Sequence, residues 1–412
     1  MSIQNNILVI CSWSHLDPLV HRYVLPNIPI ILSQITDKEN IHLITYETDA
    51  NALTSPTGQL FHAHLANQRI AWKPIHYAPL RGQGWRYYLQ QILITRRYCR
   101  KQGIAVVHAF APTAGALGWL SVRWSNRKLV IDSWEPHAES MVETGVWRKK
   151  SIAFRLLWKL EKQSARDADY LIAAHPAMRS YASEKWHIQP SRVAYRPACT
   201  DLAQFDRSLF NRTLIRHELG YSESDLICVC VSQLGGMYYL EESLLLFHLG
   251  KRVFGDRFKV LLISTTPREL ILGKANSMSL AMNHLQILRA APADVPGFLS
   301  VGQFAYNPQK AVPSKRYGTP VKNGEYWAMG LPILMMTGTS QDAELAMKHR
   351  SGVVLMDMHE NAILIALEEM KRLLSEPELE ARCRDMAQTY RSYAIAHAAY
   401  KEVYGYLNGV RL

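Results

Sequence analysis

The chain has 412 residues, of which 48% are hydrophobic and 20% are charged. This length predicts two domains of about 200 residues each, and the composition excludes an extended disordered chain. The formal net charge of +12 is uneven, because residues 1–200 carry +11 and the remainder carries +1. The asymmetry predicts that the first half meets an anionic partner, such as a membrane surface, a phosphorylated acceptor or a nucleic acid.

The cysteines and the apolar segments indicate a reducing compartment. Among the six cysteines there is no C-x-x-C pair, and Cys228 and Cys230 share one apolar run. Buried small side chains are therefore favoured over metal ligands or a disulfide framework. The run Ile7–Cys11 is too short and lacks the basic flank of a signal peptide, and no stretch approaches the length of a membrane-spanning helix. We expect a cytoplasmic protein that is soluble or peripheral on the inner face of the membrane.

Residues 1–205 alternate short apolar runs with helical patterns, which predicts a doubly wound parallel sheet. The predicted strands are Ile7–Cys11, Ile41–Tyr46, Ile70–Ile75, Ala105–Ala109, Leu129–Asp132, Tyr170–Ala173 and Val193–Tyr195.

A basic amphipathic helix is predicted from Arg81 to Lys101. The segment has six basic residues and no acidic one, while Trp85, Leu89 and other apolar residues recur at helical spacing. This pattern is consistent with a helix on an anionic membrane surface. An ordinary surface helix that packs its apolar side on the sheet accounts for the same apolar spacing but not for the absence of acids.

Polar groups follow two predicted strands of the first half, where ligands bind in open α/β sheets. Asp132 ends one strand, with Glu135 and His137 close behind, and these three are candidates for an acceptor or catalytic site. Ser14 and His15 follow the first strand in a loop without glycine and are candidates for contacts with acceptor or donor. A capping or core role for His137 is the alternative.

A second series of apolar runs begins after a predicted domain boundary near residue 205. Residues 206–385 are expected to form a second domain, and residues 386–412 belong to a final helix, about 380–407, that packs back on the first domain. The predicted strands are Leu226–Ser232, Val260–Ser264, Leu285–Leu288, Gln303–Tyr306, Ile333–Met336 and Val353–Leu355.

One helix–strand unit carries the strongest functional signal. A helix is predicted to open at Pro320, to end at Gly330 and to lead into the apolar strand Ile333–Met336. Gly324 would let a ligand approach the first turn, where free N–H groups favour phosphate. Glu325 in that turn is placed to accept hydrogen bonds from a sugar hydroxyl. The alternative is an ordinary helix–glycine–strand connection.

A second glycine pair, Gly235 and Gly236, follows a predicted strand and precedes a helix from about Leu240 to Leu249. Small residues at this position let backbone N–H groups and a helix N-terminus face a diphosphate. A plain strand–helix turn is again the alternative.

Four segments resemble, in order and in approximate spacing, those of GT-B glycosyltransferases, especially family 4. The residues 193–201 with Phe205 resemble the family's P-N-G-V-D…F segment, and 231–236 resemble its V-G-R-L strand and loop. The residues 295–300 resemble V-P-x-Y-L-S, and 322–326 resemble K-x-x-E-Y. The resemblance implies an α/β chain of GT-B architecture, in which two Rossmann-like parallel-sheet domains face each other across a cleft.

The resemblance also implies that the second domain binds a nucleotide sugar and the first its acceptor. The expected donor-binding residues are Gly235, Gly236, Tyr317, Gly318, Thr319, Lys322, Gly324 and Glu325. The chain departs from the family pattern at two positions. Gln233 stands where an arginine is common. Tyr317 stands where many members have a glutamate, eight residues before the ribose-binding position that Glu325 occupies here. Lys322 is the preferred substitute for the diphosphate clamp, with Lys315 and Arg316 as backups.

The expected function is a metal-independent, retaining, hexosyltransferase-like glycosyltransferase of polysaccharide biosynthesis. It would move a sugar from a nucleotide diphosphate donor to a glycan or lipid-linked glycan, without a cofactor or a metal, by electrostatic stabilisation of the leaving diphosphate. The only Asp-x-Asp spacing, Asp167-Ala168-Asp169, is interpreted as a helix end before a strand. The alternatives are a catalytically inactive GT-B relative and, less favoured, a nucleic-acid-binding protein that uses the basic half.

Overall fold

The computed structural model describes residues 6–35, 40–77 and 84–409, without the side chains of residues 84 and 85. Its contacts divide the chain into two compact units, each an α/β structure around one sheet. The first unit comprises 1–142, 147–197 and 394–412, and the second comprises 143–146 and 198–393.

Every strand of the two sheets pairs with its neighbours in parallel. In chain order the strands are β1 Asn6–Cys11, β2 Ile41–Glu47, β3 Ile70–His76, β4 Ile104–Phe110, β5 Lys128–Trp134, β6 Tyr170–Ala173, β7 Val193–Tyr195, β8 Leu226–Val231, β9 Phe258–Ile263, β10 Leu285–Leu288, β11 Phe304–Asn307, β12 Ile333–Met336 and β13 Gly352–Leu355. The order is β3-β2-β1-β4-β5-β6-β7 in the first unit and β10-β9-β8-β11-β12-β13 in the second.

The α-helices lie between the strands and after the last of them. They are α1 Ile28–Leu32, α2 Pro56–Asn67, α3 Gly84–Lys101, α4 Pro112–Val122, α5 His137–Glu143, α6 Ile152–Asp167, α7 Met178–Trp186, α8 Arg212–Glu218, α9 Glu241–Phe254, α10 Arg268–Ser277, α11 Val295–Ser300, α12 Val321–Ala328, α13 Asp342–Lys348, α14 Glu360–Leu373, α15 Leu379–Arg391 and α16 Tyr393–Leu407. A π-helix at Val20–Val24 and 3₁₀ turns at Leu25–Asn27, Arg207–Leu209 and Pro313–Tyr317 complete the described elements.

The predicted α/β fold with two parallel sheets is confirmed. Strands such as β1 and β12 are buried along their whole length, because helices cover both faces of a parallel sheet and select continuous apolar runs. In each sheet the chain order reverses once, between β1 and β4 and between β8 and β11. Ligands of open α/β sheets bind beyond the carboxyl ends of the strands at such a reversal. We therefore expect a candidate site at the reversal of each sheet.

The prediction of a single final helix from about 380 to 407 is wrong. Ser392 adopts an extended backbone, with φ −70° and ψ 152°, and separates α15 from α16. Helix α15 belongs to the second unit and α16 to the first. In the first unit the hydroxyl of Tyr404 lies 2.9 Å from Nδ1 of His108 on β4, so α16 is bonded to the sheet itself.

The basic helix is present as α3, although Arg81 and the Trp85 side chain lie outside the described residues. Its inner face is buried, whereas Tyr87, Leu89 and Leu93 are each about half exposed, at 48%, 52% and 48%. No helix in the described part of the chain combines the length and the apolar character that a membrane span needs.

Candidate functional site

The loop between β8 and α9 lies at the chain-order reversal of the second sheet. Gly235 and Gly236 both have positive φ, at 96° and 61°, and a Cβ added at either would meet no atom within 4 Å. The loop is held against the segment after β11 by hydrogen bonds of 2.8 Å from Tyr239 N to Pro308 O and 3.2 Å from Lys310 N to Met237 O. The two glycines thus leave open space beside a braced backbone, which suits close approach of a phosphate.

Lys322 connects the two segments that the sequence singled out in the second half. It lies in the first turn of α12, and its Nζ donates a 3.2 Å hydrogen bond to Ser232 Oγ, directly after β8. The same Nζ lies 4.3 Å from the ring centroid of Tyr238, in the glycine loop. An ammonium group is therefore positioned at the glycine loop, although Lys322 and Gly235 are far apart in sequence.

The acidic start of α9 is a feature that the sequence analysis did not weigh. Glu241 and Glu242 occupy the first turn of this helix, where carboxylates already complement the N-terminal partial charge. Glu241 also pairs with Lys274 at 2.5 Å. Anion binding at this place must therefore rest on the loop glycines and Lys322 and not on the helix terminus.

Glu325 and Gly324 lie deeper in α12 than the sequence predicted. The helix begins at Val321, so Glu325 is in its second turn and only 1% exposed. A Cβ on Gly324 would come within 2.3 Å of Thr200 Oγ1 and 3.1 Å of Arg391 Cγ. The prediction that Gly324 leaves space for a ligand is therefore wrong. The atoms that come close to Gly324 belong to Thr200 and Arg391 of the chain itself. A contact of Glu325 with the donor stays a prediction.

The segment before α12 has polar groups that already have protein partners. Thr319 Oγ1 accepts a 2.7 Å hydrogen bond from the Ala198 amide, and the Arg316 guanidinium lies 5.6 Å from the ring centroid of Tyr317. Gly318 follows the 3₁₀ turn with an extended backbone. Because the Thr319 hydroxyl can still donate its proton, the segment keeps some capacity to bind a hydroxyl or phosphate.

A buried polar network holds α12 in place. Asn323 accepts a hydrogen bond from Asn307 and donates one to Asp342, each 2.8 Å long. Asp342 in turn pairs with Arg391, at the end of α15. The network joins the end of β11 to three helices, so it fixes the helical turn that carries Lys322.

In the first unit, Asp132 is fully buried and completely partnered. Its carboxylate accepts hydrogen bonds from Arg196 at 2.7 Å and Tyr400 at 2.7 Å, and His108 Nε2 lies 3.2 Å away. Burial opposes ionisation of Asp132, but the Arg196 charge and the His108 bond outweigh it and lower its pKa to about 2. These contacts tie α16 to the sheet, and a direct contact of Asp132 with an acceptor stays a prediction that its burial disfavours.

Glu135 and His137 remain near the surface, unlike Asp132. Glu135 Oε1 lies 3.7 Å from His137 Nδ1, and about a quarter of each side chain is exposed. Beneath them Glu161 accepts a 2.9 Å bond from the Ala138 amide in the first turn of α5. Burial raises the pKa of Glu161 well above its usual value, and the nearby charges of Glu135 and Glu139 add to that rise.

Ser14 and His15 form a compact cluster with Glu47, at the end of β2. Glu47 accepts bonds from Ser14 Oγ at 2.5 Å and from the His15 amide at 2.9 Å, and its Oε2 lies 2.8 Å from His15 Nδ1. Burial opposes the charge on Glu47, but hydrogen bonds from Ser14, Thr45 and His15 outweigh it and lower its pKa. The ring of His15 is only 3% exposed and packs against Trp72, so the cluster stiffens the loop after β1.

The described part of the chain brings together no group of three or more His, Cys, Asp or Glu side chains suited to a metal ion. Asp167 and Asp169 lie at the end of α6 and before β6, as the sequence interpretation required. Asp167 accepts a 3.0 Å bond from Trp119, and Asp169 accepts a 2.9 Å bond from the Leu129 amide.

Sequence reasoning missed several partners of the candidate residues. Ser232, Tyr238, Arg196 and Glu47 were not proposed, because each acts through a contact that only the tertiary structure creates. Their one sequence signal is position, since Ser232 and Glu47 stand at the carboxyl ends of strands.

Comparison with known proteins agrees with this architecture. The family model described as a glycosyl transferase 4-like domain matches residues 43–199. Among curated proteins the sequence has no significant match.

Solved structures with the same fold cover nearly the whole chain. Sucrose-phosphate synthase from Thermosynechococcus elongatus is 15% identical with a TM-score of 0.75, and the match covers 99% of this chain and 100% of that one. Anabaena Alr3699/HepE in complex with UDP-glucose is 12% identical with a TM-score of 0.65, covering 98% and 100%. WaaG, a glycosyltransferase involved in lipopolysaccharide biosynthesis, is 12% identical with a TM-score of 0.66, covering 98% and 100%. The chain therefore has the GT-B fold, and its residues 43–199 match the model of a glycosyl transferase 4-like domain.

Proposed function

We propose that this protein is a retaining glycosyltransferase that takes a sugar from a nucleoside diphosphate donor. The acceptor is a glycan or a lipid-linked glycan. The GT-B fold and the matched domain support sugar transfer as the reaction class. Similar structures hold UDP or UDP-glucose, which supports UDP as the first nucleotide to test.

The placement of Lys322 is the observation that carries this proposal. Its ammonium lies at the glycine loop, beside Ser232 and Tyr238, at the chain-order reversal of the second sheet. A diphosphate that binds there would accept hydrogen bonds from Lys322 and from the backbone of Gly235 and Gly236. Such pre-arranged donors stabilise the negative charge that develops on the leaving diphosphate, so we propose that no metal ion is required.

The first unit would then bind the acceptor. Glu135 and His137 are our preferred contacts because about a quarter of each side chain is exposed, whereas Asp132 is fully buried. The cluster of Ser14, His15 and Glu47 shapes the loop at the end of β1, on the same edge of the sheet.

We also propose that the first unit docks on the anionic inner face of a membrane. The outer face of α3 combines the half-exposed Leu89 and Leu93 with exposed basic residues such as Arg97. Next to it, Trp124 is 81% exposed, and the guanidinium groups of Arg96 and Arg123 lie 5.4 and 4.6 Å from its ring centroid. An exposed tryptophan flanked by cations suits the interfacial layer of a bilayer.

Calorimetry with UDP and GDP tests the donor site. We expect the wild type to bind one of them, and Lys322→Ala and Glu325→Ala each to weaken that binding by roughly tenfold to a hundredfold, since a charge-assisted hydrogen bond contributes roughly 1.5–3 kcal/mol. Lys348→Ala, which removes an exposed lysine of α13 in the same unit, is the control and should bind like the wild type. Unchanged affinity in Lys322→Ala would remove this residue from the site. Binding without any sugar transfer would instead support the catalytically inactive relative.

A further inference from the structure

The second unit has a pocket at the opposite edge of its sheet from the glycine loop. Its lining includes Leu226, Arg257, Gln303 and Pro332, and each of these lies at or directly before the first residue of a strand. The pocket therefore opens at the amino ends of β8, β9, β11 and β12, and we call it the amino-edge pocket. Strand β8 has six residues, so the two edges are about 17 Å apart at roughly 3.3 Å per residue.

The amino-edge pocket has the size of a small-molecule site and carries four cations. Its volume is about 670 Å³, within the roughly 300–1,000 Å³ of typical ligand pockets. Arg207, Arg212, Arg257 and Lys371 contribute to its wall. Of these, Arg207 is fully committed to the fold, since it donates to the carbonyl oxygens of Ser300 and Gly302 and to Glu380.

Arg212 and Arg257 carry charges that the fold does not neutralise. Within the described residues neither has an ion-pair partner. The Nε of Arg212 is buried, and no described residue accepts a hydrogen bond from it. Burial, together with the neighbouring Arg212 charge, lowers the pKa of Arg207 to about 10. The pocket thus holds positive charge at a partly desolvated place, where an anion would gain most.

The carboxylates of the wall differ in availability. Glu380 is paired with Arg207, and Glu376 is paired with Arg350 and Arg382. Glu378 is exposed at the start of α15 and has no ion-pair partner among the described residues. Glu378 can therefore accept hydrogen bonds from ligand hydroxyls, while the cations bind a phosphate; Gln303 Oε1 already accepts a 2.7 Å bond from the Ile227 amide.

We propose that the amino-edge pocket binds a small phosphorylated polyol or sugar at a second site, separate from the nucleotide site. Arg212 and Arg257 hold the phosphate, Lys371 supports it, and Glu378 accepts from the hydroxyls. A free small molecule is favoured over a lipid headgroup because a concave pocket of this volume fits a compact solute.

Calorimetry with glucose 6-phosphate, in the presence of saturating UDP, tests the second site on the full chain. We expect one equivalent to bind, and Arg212→Ala and Arg257→Ala each to weaken the affinity about tenfold or more. Arg372→Ala is the matched control, since this exposed arginine neighbours Lys371 on α14 but does not line the pocket. Should Arg212→Ala fail to fold, Arg257→Ala carries the test, because this side chain is exposed.

Further probes separate the two parts of the ligand. Glucose should not bind, and inorganic phosphate should bind more weakly than glucose 6-phosphate. Glu378→Gln should weaken the binding of glucose 6-phosphate but not that of inorganic phosphate. Competition by UDP, equal binding of glucose, or unchanged affinity in both arginine variants would overturn the proposal. Failure of UDP itself to bind would count against the proposed function only, because the glucose 6-phosphate titration can be run without it.

Discussion

Two buried carboxylates of the first unit illustrate how surroundings determine charge. Asp132 faces Arg196, so its charged form is favoured and its pKa falls to about 2. Glu161 is buried, and the carboxylates of Glu135 and Glu139 lie nearby, so its neutral form is favoured and its pKa rises. Removal of the charge should therefore lower the free energy of unfolding at Asp132 and raise it at Glu161.

Asparagine and glutamine substitutions test this contrast. Asp132→Asn should lower the free energy of unfolding at pH 7 by roughly 3–5 kcal/mol, because Arg196 is left buried without its counter-charge. Since the pKa of Asp132 is lowered on folding, its contribution is present above the ordinary value of 3.8 and is lost as the pH falls towards about 2. The deficit of the variant should therefore shrink in that range.

Glu161→Gln should behave in the reverse way. Because the pKa of Glu161 is raised on folding, the wild type loses stability as the pH rises above the ordinary value of 4.5. The variant keeps the hydrogen bond from the Ala138 amide and should become more stable relative to wild type over this range. Urea unfolding curves between pH 2 and 8 measure both variants, and parallel pH dependences would contradict the assignment.

Gly324 offers a second residue-level test, which concerns packing. Gly324→Ala places a Cβ 2.3 Å from Thr200 Oγ1, and overpacking of this kind costs roughly 1–3 kcal/mol. Gly273 is the matched control, because it also lies within a helix, α10, but an added Cβ meets nothing within 4 Å. Gly273→Ala should stabilise by up to about 1 kcal/mol. Equal changes in melting temperature for the two substitutions would show that the neighbours of Gly324 leave room for a Cβ.

At the scale of elements, the sequence predicts strands better than helix ends. Buried parallel strands appear as continuous apolar runs, and Tyr170–Ala173 and Ile333–Met336 are found where they were predicted. The break at Ser392 gave no such signal, because serine lies in an alternation of polar and apolar residues that fits one long helix. Helices α15 and α16 belong to different units. This division is a property of the tertiary structure, so the local sequence does not show it.

The outer face of α3 leads to a prediction about membranes. Vesicles that contain phosphatidylglycerol should co-sediment the protein at low salt and release it near 1 M salt, where the Debye length is roughly 3 Å. Charge reversal at Arg96, Arg97, Arg100 and Lys101 should abolish the binding, at on the order of 1 kcal/mol per basic residue, and Trp124→Ala should weaken it.

Neutral vesicles and nucleotide binding are the controls for this experiment. Vesicles of neutral lipid should bind little, and the charge-reversed variant should bind UDP as the wild type does, because the glycine loop belongs to the other unit. Equal binding to anionic and neutral vesicles would assign the basic surface to another partner.

At the scale of the molecule, the sequence predicted only part of the candidate donor site. The glycine loop and Lys322 were identified separately, and a hydrogen bond from Lys322 to Ser232, directly after β8, brings them together. The burial of Asp132 could not be foreseen, since its partners Arg196 and Tyr400 come from distant segments. A strand-end carboxylate looks the same in sequence whether it faces a ligand or an arginine.

Release of UDP from UDP-glucose and other UDP-sugars, followed with and without EDTA, tests the central claim most directly. We predict turnover of at least one UDP-sugar that survives EDTA and falls at least tenfold in Lys322→Ala, while Lys348→Ala remains active. Turnover that EDTA abolishes and Mn²⁺ restores, or that Lys322→Ala leaves unchanged, would contradict the account of a metal-independent transferase built around the glycine loop and Lys322.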